Sequence, residues 1–111
     1  MQHLDTTFSA LSDPTRRAIL SRLTKGEATV LELAEPFSMS QPAISRHLRV
    51  LEEAGLITRR VEGATRPCRL APGGIAEIDQ WLELLRKALE TNYARLDKVL
   101  AAQNKRRKDK P

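Results

Sequence analysis

Cysteine occurs once in these 111 residues, histidine twice and aromatic residues four times (two Phe, one Tyr, one Trp). A lone thiol, Cys68, excludes an intramolecular disulfide and suits a reducing compartment. Zinc takes four ligands drawn from Cys, His and carboxylate at close spacing. His3, His47 and Cys68 are too scattered for that, so no metal site and no cofactor is expected. With two histidines, no Gly-rich phosphate loop and no Ser/His/Asp constellation, an enzyme is not expected either. No apolar run approaches the ~18 residues that span a bilayer. The first residues lack the basic-then-apolar layout of a secretory signal. These absences point to a soluble, cytoplasmic protein with no membrane partner and an aliphatic core.

What is present is a chain of one-domain length, 41% hydrophobic, with a formal charge of +5 and a pI near 9.9. That balance suggests a polyanionic partner, and its distribution says where. Residues 1–39 carry four bases and five acids, and residues 73–104 again four and five. Residues 40–72 carry six bases and three acids, and residues 105–111 five and one. The excess therefore sits in a middle segment and a tail.

Local signals divide the chain into short helices. Phe8 and Leu11 belong to a first one. "SDPTRRAILSRL" opens a second, with Ser12 or Asp13 as N-cap and Pro14 in the first turn. Gly26 ends it. Thr29 can cap "VLELAEPF", which should stop near Pro36, because proline disfavours helical geometry in the residue before it. After a short connection Ser40 caps "QPAISRHLRVLEEA", with Gly55 as its C-terminal stop. "LITRRVE" and "RPCRLA", joined through "GAT", form a hairpin. A long helix then covers about 74–104, with Ile75, Ile78, Leu82, Leu85, Leu89, Tyr93, Leu96 and Leu100 at near-heptad steps. Part of that seam, with the first helix as companion, is expected to form a dimer interface. Residues 1–104 thus make one domain, and residues 105–111 a basic, disordered tail.

At 100° per residue, Ile44, Leu48 and Leu51 fall on one stripe of the middle helix and must face the core. Pro42, Ser45, Arg46 and Arg49 fall opposite, with Gln41 at the edge near the N-terminus. Charged helix faces are ordinarily just solvated. Here the cap, the preceding short helix, the basic hairpin and the local charge excess favour a helix that enters the major groove of double-stranded DNA. Gln can pair with N6 and N7 of adenine, and Arg with O6 and N7 of guanine. Ser40 and the first-turn amides suit a phosphate. In the hairpin, Arg60 and Arg66 are the expected backbone or minor-groove contacts among Arg59, Arg60, Arg66 and Arg69.

"ALSDPTRRAILSRL", "VLELAEPFSMSQPAISRHLRVLEEAGLI" and "RRVEGATRPCRLAP" together resemble the ArsR/SmtB family of bacterial transcriptional repressors, from about Phe8 to Trp81. The resemblance implies a mainly α fold with a small β-hairpin, a winged helix-turn-helix whose N- and C-terminal helices form a homodimer. It also implies binding to an imperfect palindrome, with DNA contacts on Gln41, Ser45 and Arg46. The dimer helices place Phe8, Leu11, Ile78, Trp81, Leu82, Leu85, Leu89 and Leu96 at the interface. The family's metal-sensing members carry Cys-x-Cys before the turn or Asp and His pairs on the last helix. "VLELAEP" has neither Cys nor His, and residues 74–104 hold Asp79 and Asp97 but no His. The chain therefore resembles the branch without metal sites, and any effector is an unknown small molecule or protein. His47 is expected to pack beside the core stripe or touch a phosphate, with a pH switch as the alternative. Cys68 is expected to be structural, with a redox switch favoured only if Arg66 and Arg69 lower its pKa. Trp81 is expected to anchor the core or the dimer, with an effector cavity as its alternative place. An interaction adaptor that uses the long helix to bind a partner is the competing function.

Overall fold

The computed structural model describes residues 3–108. Its elements run in the order α1 (Leu4–Leu11), α2 (Pro14–Leu23), α3 (Val30–Ala34), a 3₁₀ turn (Glu35–Phe37), α4 (Gln41–Glu53), β1 (Ile57–Arg59), β2 (Cys68–Leu70) and α5 (Ala76–Lys108). This is the expected mainly helical architecture with one hairpin.

Of the two candidate caps for α2, Asp13 takes the role. Its carboxylate accepts from the amides of Thr15 at 2.8 Å and Arg16 at 3.1 Å. These amides, Arg16's first, hold the Asp13 carboxyl below its ordinary range, as expected for a carboxylate whose charged form is hydrogen-bonded. Ser12 instead donates its hydroxyl to the Ser9 carbonyl at 2.6 Å. The next two arginines close the C-terminus of α1, whose last carbonyls have no partner within the helix. Arg16 Nε donates to Ala10 O at 2.7 Å, and Arg17 Nη1 to Leu11 O at 2.8 Å.

Thr29 and Glu32 form a reciprocal capping box at the start of α3, satisfying two first-turn amides. The α-helix ends at Ala34, slightly before Pro36, and the chain tightens into the 3₁₀ turn that contains the proline. Ser38 then adopts left-handed geometry at φ 52° and redirects the chain toward α4. Ser40 Oγ caps α4 by accepting from Ala43 N at 3.3 Å. At its other end Gly55 N donates to Glu52 O at 3.0 Å, and Leu56 N to Leu51 O at 3.0 Å. With Gly55 at φ 75°, this is a Schellman closure, which a residue with a Cβ would strain.

The core is aliphatic, as the shortage of aromatics implies. Ile19 (α2), Leu33 (α3) and Cys68 (β2) are fully buried, together with the α4 stripe Ile44, Leu48 and Leu51. Each large aliphatic side chain so buried contributes about 1.5–3 kcal/mol, so the stripe dominates the placement of α4. Strand β1 pairs antiparallel with β2 in the register Ile57↔Leu70, Thr58↔Arg69, Arg59↔Cys68. On its other side Cys68 exchanges two backbone hydrogen bonds with Ala28, at 2.8 and 3.1 Å. This one-residue third strand carries no sequence pattern and was not anticipated.

The chain divides into two compact units, Met1–Ile78 and Asp79–Pro111. The described part of the second is α5 beyond its first turn. That helix continues to Lys108, so residues 105–108, expected in the disordered tail, are helical. No Pro or Gly interrupts the sequence before Pro111, Lys and Arg are good helix formers, and cations suit a helix C-terminus. The rest of the expected tail, residues 109–111, lies outside the described residues.

The two glycines before α5 are not equivalent. A Cβ at Gly74 would stand 2.7 Å from the Gly55 carbonyl oxygen and 3.0 Å from Leu56 Cα, whereas one at Gly73 would meet nothing within 4 Å. Gly74→Ala should therefore destabilise the protein by roughly 1–3 kcal/mol, the usual cost of overpacking against backbone. Gly73→Ala should be close to neutral. Urea unfolding of the two variants checks this, and equal midpoints would mean that the crossing at Gly55 yields freely.

Candidate nucleic-acid interface

Because the stripe of α4 is committed to the core, its opposite side faces solvent. Gln41, Pro42, Arg46 and Arg49 are exposed and Ser45 is half-buried. Neither Arg46 nor Arg49 has a side-chain hydrogen bond or ion pair among the described residues. At the N-terminus of α4 fewer amides are open than the sequence suggested. Pro42 has none, Ala43 N is bonded to Ser40 Oγ, and Ile44 N to Ser40 O at 3.1 Å. Gln41 N–H and the Ser40 hydroxyl proton remain to donate.

Three elements meet at this side of the molecule. A cleft of about 390 Å³ is lined by Gln41 and Ser45 of α4, by Thr29, Val30 and Leu31 at the start of α3, and by Arg59, Ala64, Thr65 and Arg66 of the hairpin. Residues far apart in the chain thus converge: Gln41, Ser45 and Arg66, all expected site residues, share one concavity. Arg66, like Arg46 and Arg49, is exposed, with no side-chain partner among the described residues.

Arg60, the other expected hairpin contact, does not line this cleft. Its guanidinium is engaged by the carboxylate of Glu27 and, at 2.7 Å, by that of Glu62. Glu27 first and Glu62 second hold the proton on Arg60 more tightly still. The pair with Glu27 anchors the end of β1 to the segment between α2 and α3.

Arg59 was not among the expected contacts, yet it lines the cleft. Its side chain is 16% exposed and its Nη2 lies 3.1 Å from Glu52 Oε1 on the last turn of α4. Strand alternation could have found it: Ile57 is buried, and Arg59, two residues on, lies on the same face of the strand. Thr58 falls on the other face and accepts from Arg69 Nε at 3.3 Å.

Cys68 is completely buried. Burial pushes its thiol up, against a smaller opposing pull from Arg59, and Sγ faces the Arg66 carbonyl at 3.8 Å. A thiol held protonated and out of solvent is a core residue, not a reactive one. His47 sits beside the stripe, with Nδ1 3.3 Å from Arg16 Nη1. Among the described residues no group of three His, Cys, Asp or Glu side chains is arranged to hold a metal ion, and no helix is long and apolar enough to cross a membrane.

Of the expected dimer residues, Ile78 is buried and Leu11 packs against the core. Phe8 is 38% exposed, and Leu82, Leu85, Leu89 and Leu96 are 40–53% exposed in the single chain. Trp81 is half-buried.

A helix-turn-helix domain family model matches residues 11–60. The HTH-type transcriptional regulator Rv2034 of Mycobacterium tuberculosis is 41% identical over 92 residues, spanning 83% of this chain and 86% of the relative. The crystal structure of an ArsR family transcriptional regulator, RHA00566, superposes with a TM-score of 0.74 at 39% identity, covering 80% of this chain and 92% of that one. The homodimeric winged helix-turn-helix DNA-binding domain Mb0332 of Mycobacterium bovis superposes with a TM-score of 0.64 at 26% identity, covering 78% and 80%.

The pairing of Arg60 has a consequence for any duplex that meets the hairpin. Replacing Glu27 and Glu62 together by Gln should release Arg60. Affinity for a random-sequence duplex should then rise several-fold, with the slope of log K against log salt steepening by about 0.9 for one more neutralised phosphate. Fluorescence anisotropy across a salt series measures both. An unchanged slope would confine Arg60 to holding the hairpin in place.

Proposed function

The chain belongs to the ArsR family of winged helix-turn-helix DNA-binding transcriptional regulators, and on that premise we propose that it is a homodimeric repressor that occludes a promoter by binding a palindromic operator. In this reading α4 lies in the major groove. Gln41, Ser45 and Arg46 read base edges, the two longer side chains by bidentate pairing with adenine or guanine. Pro42 gives the first turn a surface that packs against the bases without competing for their hydrogen bonds. Ser40, with the Gln41 amide beside it, and Arg49 hold phosphates, and Arg66 brings the hairpin to the same backbone. Arg60 joins them only by exchanging Glu27 and Glu62 for phosphate.

The observation that carries the reading is the cleft shared by α3, α4 and the hairpin, lined by Arg66, which like Arg46 and Arg49 has no side-chain partner among the described residues. A basic group left unpaired on a surface otherwise rich in ion pairs is available to an external anion. The exposed leucines of α5 support a dimer, because a near-heptad stripe of that length is normally buried against another helix. With two copies, two recognition helices can address half-sites about one DNA turn apart, ~34 Å. The signal that relieves repression is not a metal in this proposal. "VLELA" of α3 offers no Cys or His, and the sequence of α5 contains no His.

Specificity and affinity should separate on mutation. Arg46→Ala should cost about 1–3 kcal/mol at the operator, mostly in preference over scrambled DNA, as expected for loss of a bidentate base contact. Arg66→Ala should weaken operator and scrambled DNA alike. Gel shifts on the chain's own upstream DNA measure the two ratios. If Arg46→Ala left the ratio of specific to scrambled binding untouched, base reading by Arg46 would be excluded.

The same exposed stripe could instead hold a partner's helix, which is the adaptor reading, and sedimentation decides between them. The wild-type chain should be a dimer at micromolar concentration. Leu85→Glu with Leu89→Glu should give a folded monomer whose operator affinity drops to that of scrambled DNA. A monomeric wild type would favour the adaptor.

A further inference from the structure

One guanidinium ties three helices together. Arg16 lies in the first turn of α2, beneath the Asp13 cap. Its Nε donates to Ala10 O at 2.7 Å and its Nη2 to Ser9 O at 3.1 Å, both on the last turn of α1. Its remaining terminal nitrogen, Nη1, is 3.3 Å from Nδ1 of His47, in the middle of α4. A guanidinium can only donate. A hydrogen bond between Arg16 and His47 therefore uses His47 Nδ1 as the acceptor. Arg16 is half-buried, and the proposed contacts with DNA make no use of it.

The core stripe leaves such a tie something to do. Burial of Ile44, Leu48 and Leu51 fixes which side of α4 faces inward, but apolar contact is non-directional and tolerates small slides and tilts. A planar fork bonded at one end to α1 and at the other to the side chain that follows Arg46 removes that freedom. On the homodimer reading above, on which this inference rests, α1 belongs to the dimer seam through Phe8. The position of α4 against α1 then sets the distance between the two recognition helices.

We propose that Arg16 and His47 form a strut that positions the recognition helix relative to α1, and so sets the half-site spacing that the dimer accepts. Arg16 is a positioning residue here, not a DNA contact. Arg17 provides the matched control, because it caps α1 through Leu11 O at 2.8 Å but makes no bond to α4 among the described residues.

The experiment uses the full-length chain and a duplex selected by the wild type from a random pool. Binding is compared with versions carrying one or two base pairs inserted between the half-sites. The wild type should reject the insertions. Arg16→Gln should lose roughly tenfold of that discrimination, the effect of removing one charge-assisted hydrogen bond, while keeping base preference within each half-site. Arg16→Lys keeps the charge without the fork and should behave like Arg16→Gln. His47→Asn, whose Oδ1 stands near the place of Nδ1, should behave like wild type, and His47→Leu like Arg16→Gln. Arg17→Gln should keep the spacing rule.

Three results overturn the strut. The first is Arg17→Gln relaxing the rule as far as Arg16→Gln does, since the cause would then be a weakened α1. The second is Arg16→Lys restoring wild-type behaviour while Arg16→Gln lowers the salt slope by about 0.9, which marks a phosphate contact. The third is every variant keeping the wild-type spacing rule. If the wild type selects no sequence from the pool, the operator reading itself fails and the strut falls with it.

Discussion

Burial of Ile44, Leu48 and Leu51 along one stripe fixes the rotation of α4, and nearly every functional feature of the chain follows from that rotation. With the stripe inside, Gln41, Arg46 and Arg49 have no direction left but solvent. The ends of the helix are fixed just as firmly. Ser40 closes one with its hydroxyl, and Gly55 closes the other with the bond from Leu56 N to Leu51 O at 3.0 Å. That closure leads directly into β1, where Leu56 and Ile57 are buried again. Ala71 N then donates to Leu56 O at 3.0 Å, which brings the second strand of the hairpin back to the same place. Recognition helix and wing are therefore positioned by one continuous set of contacts, and the cleft between them inherits its shape from it.

The net charge is a poor guide to which cations are available. Arg59 is paired with Glu52 and mostly buried, so it belongs to the joint between α4 and β1. Arg60 is paired with Glu27 and Glu62 at an exposed site, where ion pairs are weak and exchangeable. Arg46, Arg49 and Arg66 have no internal partner among the described residues. The six bases of residues 40–72 thus divide by environment into joint, exchangeable pair and guanidinium without a partner among the described residues, with Arg69 held by Thr58 on the far face of the strand.

What could be read from the sequence was whatever depends on neighbours within one or two turns. The Ser40 cap, the Gly55 stop, the α4 stripe and the Gly63 turn are all local, and all stand where the pattern placed them. The gathering of Gln41, Ser45 and Arg66 into one cleft was not anticipated from the sequence, although each was expected there as a site residue. What escaped depends on distance or on alternatives that are locally equal. Ser12 and Asp13 were equally good caps by type; only the geometry of two accepted amides separates them. The bond between Arg60 and Glu27 spans 33 residues. The bridge between Ala28 and Cys68 involves one residue on each side and leaves no alternation to detect. Arg16 and Arg17 carry no local signal of a partner outside α2, yet each reaches back six residues to close the preceding helix. The end of α5 was expected where composition changes at residue 105, but basic residues carry no helix-breaking signal and the helix runs on to Lys108.

The division of charge along the chain supports a division of labour. Residues 73–104 carry four bases and five acids, so α5 over that range has no net attraction for a polyanion. Its apolar stripe, half-exposed in the single chain, is suited to another apolar surface instead. Residues 40–72 have the opposite character, with few exposed apolar groups and a basic excess. A single recognition helix offers only a handful of base contacts, and its phosphate contacts do not distinguish sequences. Linking two such helices through a neutral seam makes the second contact effectively intramolecular, which multiplies affinity only where both half-sites are present at the right distance. On the proposed homodimer, sequence selectivity is a property of the pair, and the rigidity with which α4 is held to α1 decides how sharply the distance is read.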